Sequence, residues 1–162
     1  RNEFGMPAEK YSVFVDISAK IEAWEKKSVV VVANGHVYAL RLAPAVKVAM
    51  RNALVGGRDL PQYALFAAAI YITLRPHLAL VKRIRVDLDY SGVLAERALR
   101  RLLLAMIRRD VPAFKGADIR IEEVAGSRAD ELARQCYHGK RRIDGEITLS
   151  QLEDVLGVKA KQ

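Results

Sequence analysis

The stretches FVDIS, IRVDLDY and RADELAR each carry an aspartate: Asp16, Asp87 and Asp130. Asp16 falls inside a strand-like run, Asp87 near the end of another, and Asp130 in the first turn of a helix. Carboxylates gathered at one place repel each other unless a cation or a proton stands between them. Their hard oxygens suit Mg2+ or Mn2+. Two such ions roughly 3.5–4 Å apart can clamp the attacking and leaving oxygens of a phosphodiester. Each acid also has a plainer use. Asp16 could cap a loop, Asp87 could be solvated, and Asp130 could favour a helix N-terminus electrostatically. Which applies depends on whether the fold brings the three together.

The elements that would have to do so are legible in outline. YSVFVDIS (11–18) alternates and is β-branched, a strand pattern. KSVVVVANGHVYALRL (27–42) holds two such runs joined by Asn34-Gly35, which fits a tight two-residue hairpin turn. Pro44 opens a helix that Gly56-Gly57 stops. A second helix covers 61–74, entered at Asp59 or Leu60 and closed before Pro76. LVKRIRVDLDY (80–90) is a fourth strand. The segment 91–110 is an amphipathic helix with Leu94, Ala98, Leu102 and Ile107 near one face and most of its arginines elsewhere. ADIRIEEV (117–124) is a fifth strand, and Ser127 is a plausible N-cap for the helix that follows. The order implies one α/β domain: a five-stranded mixed sheet, an antiparallel three-strand meander plus two parallel strands, flanked by helices. In such a sheet a site forms outside the carboxyl ends of parallel strands. If strands one and four are neighbours, Asp16 and Asp87 meet there, and Asp130 reaches the same end from the last helix.

This order resembles the ribonuclease H superfamily, and the local patterns match over roughly 11–138. FVDIS is similar to the first strand of that family, with its aspartate and following small residue. IRVDLDY resembles its fourth strand, placing Asp87 and Tyr90 at the aspartate and tyrosine positions. RADELAR is similar to the helix carrying the last metal-binding aspartate, here Asp130, and YALFAAAIYITL resembles the first core helix. The resemblance implies a nuclease in which Asp16, Asp87 and Asp130 hold Mg2+ or Mn2+, acting on an RNA/DNA hybrid or, as a neighbouring possibility, structured DNA. Two features depart from it. The core helix offers Ala64 or Leu65 where the family has a glutamate, and the histidine-bearing loop is reduced to Ala125-Gly126-Ser127, with His77 and His138 elsewhere. Substitute ligands could be Glu22, in the alternating row Asp16, Ser18, Lys20, Glu22, or Asp89, two residues beyond Asp87. Glu22 could equally pair with Lys20 or Lys26. The departures leave open a non-catalytic module that uses the same fold to hold nucleic acid or a protein.

Composition bears on partners. In 162 residues, Lys and Arg number 27 against 19 acids, a formal charge of +8. Such an excess favours nucleic acid or another anionic partner. Arg97, Arg100 and Arg101, with Lys140, Arg141 and Arg142, are candidate phosphate contacts, or else a solvated surface. With no base-reading motif, backbone and shape recognition is expected. The single cysteine, Cys136, excludes an internal disulfide and a multi-cysteine metal site and is expected to be buried. A reducing, cytoplasmic setting follows. Residues 1–5 read as an expression scar before Met6, followed by a domain over 6–142 and a tail over 143–162 in which Thr148 and Gln151 have capping-box spacing. YALFAAAIYITL is too short for a bilayer and reads as a buried helix. No Walker loop, dinucleotide turn or Ser/His/Asp order is present.

Overall fold

β-Branched alternation sets the first three strands. In the computed structural model, β1 (Tyr11–Ser18), β2 (Ser28–Asn34) and β3 (His36–Leu42) form an antiparallel meander. The structure describes residues 10–34, 36–87, 93–122 and 128–161, without the side chains of 93 and 128–130. The valines of β2 are buried on both faces: Val30 and Val32 join one core, Val29 and Val31 another. A strand apolar on both sides belongs in the middle of a covered sheet. β4 (Val81–Asp87) lies parallel to β1 on its other side, and β5 (Ile119–Glu122) lies parallel to β4.

The hairpin register pairs Ala33 with Val37 and Asn34 with His36, which makes Asn34 the last residue of β2. Residue 35 itself lies outside the described residues. One expectation about the sheet needs correction: it has six strands, in the order β5-β4-β1-β2-β3-β6. β6 (Gly145–Glu146) runs parallel to β3 and is too short for any alternation to show. Asp144 docks it: its backbone N–H donates to Ala39 O at 2.8 Å, and its Oδ2 accepts from Ala39 N at 2.8 Å. The outer edge of β3 supplies the unpaired backbone groups that make this strand.

Four helices cover one face. They are α1 (Pro44–Leu54), α2 (Pro61–Leu74), α3 (Val93–Asp110) and α5 (Leu149–Leu156). Their apolar residues share a core with Val13, Val15, Val30, Val32, Ile84 and Val86. α4 (Arg128–Tyr137) lies on the other face, where Leu132, Ala133 and Cys136 pack on Val29, Val31 and Ala39. Burial there pushes the Cys136 thiol pKa up. α2 is the central helix, buried at every residue from Ala64 to Leu74. It continues into a 3-10 helix (Arg75–Leu80), so the rod is longer than the sequence suggests. Over Pro61–Leu80 it is long and apolar enough to cross a membrane, yet 67% of its most apolar stretch is buried inside the fold.

The α3 face is rotated by one residue from the expected one. Ala95, Leu99, Leu103, Met106 and Ile107 are buried, whereas Leu94 is 79% exposed. The observed row buries Leu99, Leu103 and Met106 together with Ile107 and Ala95. A row through Leu94 and Leu102 would bury less apolar surface.

α5 has the capping box that its sequence announces. Gln151 N donates to Thr148 Oγ1 at 3.1 Å, and Thr148 N donates to Gln151 Oε1 at 2.9 Å. The helix packs on α1 and α2, and Gly157, at φ 68°, closes it. Thr148→Ala should therefore cost about 1 kcal/mol and lower the melting temperature by about 2–4 °C. An unchanged melting temperature would mean that α5 unfolds independently of the core.

Candidate active site

The register of β1 and β4 decides what Asp16 meets. Phe14 pairs with Arg85 and Val15 with Val86, so the next residues along these parallel strands are Asp16 and Asp87. Val15 and Val86 face the large core. Alternation therefore turns Asp16 and Asp87 to the α4 side, where Phe14 and Val31, neighbours of Asp16, also pack. Neighbouring strands lie about 4.8 Å apart, close enough for two carboxylates to share a cation. Asp16 is only 3% exposed, and its Oδ1 accepts a hydrogen bond from Ile17 N at 2.8 Å. Asp87 is half-buried at the last position of β4. The acid row goes on, since Asp87 pairs in register with Glu122 of β5. Glu122 was not singled out in the sequence, although RIE in IRIEEV alternates like a strand. Arg85 answers its charge, with Nε 2.5 Å from Glu122 Oε1 and the guanidinium 5.0 Å from the Phe14 ring centre.

Asp130 lies in the first turn of α4, which packs against β1 and β2 on the face carrying Asp16. Its side chain is outside the described residues, as is the whole of Asp89. Among the described residues no group of three His, Cys, Asp or Glu side chains could hold a metal ion. The structure thus sets two of the expected acids at neighbouring positions of β1 and β4 and places the helix that bears the third on the same face of the sheet.

Glu22 takes a different course. β1 ends at Ser18, and Ala19 has φ 63°, in the left-handed region, so the alternating row towards Glu22 is broken. Glu22 acts instead on Lys47 of α1, on the opposite side of the sheet.

Lys47 is the polar residue that sequence reasoning passed over. It is fully buried, and its Nζ donates to Ala23 O at 2.9 Å, Ser28 Oγ at 2.9 Å and Lys20 O at 3.3 Å. Burial lowers its pKa to about 8, against the opposing pull of Glu25 and Glu22. A signal existed: in PAVKVAM, Lys47 shares a helical face with Met50, three residues on. With all three N–H groups engaged, it fastens the connection between β1 and β2.

No protein-family model, curated protein or solved structure matches this chain.

The candidate phosphate contacts divide by layer. Arg97, Arg100 and Arg101 belong to α3, across the sheet from Asp16 and Asp87. Arg100 donates to Glu96 Oε1 and to Ile119 O, each at 3.2 Å, and Arg101 pairs with Asp59. Arg97 is exposed. Lys140, Arg141 and Arg142 are exposed just past the end of α4, the helix on the acid side.

Proposed function

We propose that this chain is a ribonuclease H-like, cytoplasmic nucleic-acid-binding protein that hydrolyses phosphodiester bonds of an RNA/DNA hybrid or of structured DNA with Mg2+ or Mn2+. The observation that carries this reading is the side-by-side position of Asp16 and Asp87 on one face of two parallel strands, at their carboxyl ends. The antiparallel meander beside the parallel strands β4 and β5 supports this reading, and β6 is a sixth strand that the five-stranded expectation lacks. The donor set is of the kind a hard cation takes, two carboxylates on neighbouring strands. Bound there, such an ion would acidify a water and stabilise the departing oxygen.

The residues divide the work. Asp16, held by the Ile17 N–H, is the fixed ligand. Asp87, half-buried at the strand end, faces incoming substrate. Asp130 enters from the first turn of α4. Arg97, with Lys140, Arg141 and Arg142, contributes exposed positive charge for phosphates, and Arg100 and Arg101 add to it from within their ion pairs.

One observation favours a second reading. Ala64 and Leu65, where the family carries a glutamate, are 6% and 0% exposed in the apolar packing of α2. Without that carboxylate the same fold could bind nucleic acid and leave it intact.

Labelled RNA/DNA hybrid, duplex DNA and a four-way junction, incubated with Mg2+ or Mn2+ and separately with chelator, decide between the two. Cleavage that requires metal is the expected result. Salt-sensitive binding without cleavage identifies the module, and absence of binding to all three overturns both.

A further inference from the structure

The two halves of the sheet are covered differently on the acid side. α4 packs on β1, β2 and β3, and among the described residues no helix makes a comparable contact with β4 or β5 from that side. The side chains there are charged: Arg83, Arg85 and Arg120, followed by Asp87 and Glu122 at the strand ends. Arg83 and Arg85 alternate onto this face with Ser12 and Phe14 beside them, and Arg120 of β5 stands opposite Arg85. Strand geometry separates Arg83 from Arg85 by about 6.6 Å, a step comparable to that between successive phosphates of a nucleic-acid strand.

These arginines are not equally engaged. Arg85 is matched by Glu122 and lies over Phe14. Neither Arg83 nor Arg120 forms an ion pair among the described residues. Arg83 Nε is buried with no hydrogen-bond partner, and Arg120 is exposed. A buried donor left unpaired costs about 1–3 kcal/mol, and a phosphate oxygen would satisfy it.

We infer that the β4–β5 face beside α4 is the track for a nucleic-acid strand, with Arg83 and Arg120 holding phosphates on the approach to Asp16 and Asp87. The inference rests on the nucleic-acid reading above and names the surface used. Recognition is of the backbone, since Phe14, the aromatic on this face among the described residues, lies under Arg85. The α3 arginines belong to a separate surface, since their helix lies on the far layer, and any phosphate they hold is off this track.

The test measures binding of a fluorescent RNA/DNA hybrid across a salt series for wild type, Arg120→Glu, Arg83→Gln and Arg58→Glu. Arg58 is exposed between α1 and α2 and serves as the charge-matched control. Circular dichroism checks that each variant is folded, and the exposed Arg120 keeps the test valid if Arg83→Gln is not. Losing one phosphate contact should weaken binding roughly tenfold at about 0.1 M salt and lower the salt slope by about 1. Arg58→Glu should bind like wild type. If Arg120→Glu and Arg83→Gln both bind like wild type, the track is wrong, whether or not the protein cleaves. If wild type binds without cleaving and Arg120→Glu still weakens binding, the track stands and the nuclease reading falls.

Discussion

Lys47→Met is expected to destabilise the protein by about 3 kcal/mol, the net of two backbone carbonyls and one hydroxyl losing a buried donor and the relief of a desolvated charge. For a chain of this length that amounts to a fall of roughly 6–12 °C in melting temperature. Methionine matches the volume and leaves Lys20 O and Ala23 O without the ammonium that now joins them. The pH dependence has a definite sign. The Lys47 pKa is about 8 in the folded chain and 10.5 as its reference value. Between these values the unfolded state binds more protons, so wild-type stability from this group rises with pH and is lost again as pH falls through about 8. The gap between wild type and Lys47→Met should therefore be wider at pH 9.5 than at pH 7. Denaturant titrations at both values measure it. A variant as stable as wild type at both would show that the ammonium does not hold the β1–β2 connection.

Asp87→Asn should reduce metal-dependent cleavage about a thousandfold, the loss of several kcal/mol of transition-state stabilisation. Binding of the hybrid should persist, because the basic contacts are untouched. Asp16→Asn should lose a similar factor, and the double variant little more, since ligands of one centre act as a unit. A readout independent of activity accompanies this. Mg2+ at a hundredfold excess over its Kd should stabilise wild type by about 2.7 kcal/mol and stabilise Asp87→Asn far less. Undiminished cleavage by Asp87→Asn, or equal stabilisation of both proteins by Mg2+, would remove the shared cation site.

Much of the scaffold could be read directly from the chain. Pro44 and Pro61 open α1 and α2, Thr148 and Gln151 cap α5, and the valines of β2 mark a strand covered on both faces. These are local effects of ring geometry, capping and alternation, and they act within a few residues. The α3 face was less legible, because rows through Leu94 and Ala95 are both apolar at helical spacing, and packing on α2 chose between them. β6 could not be read at all, since two residues carry no pattern and the edge of β3 creates the strand.

For the site, the sequence alone determined the residue types: acids at two strand ends and in a helix's first turn, basic residues in excess, and no carboxylate in the apolar run of α2. Tertiary structure decided their company. The parallel register of β1 and β4 set Asp16 beside Asp87, Ala19 turned the chain away before Glu22, and α4 covered one half of the sheet while leaving Arg83 and Arg120 on the other. Periodicity fixes which face of its own strand a side chain takes. Which strand lies alongside, and what covers it, follows from burying apolar surface across the whole chain, and no local stretch contains that information.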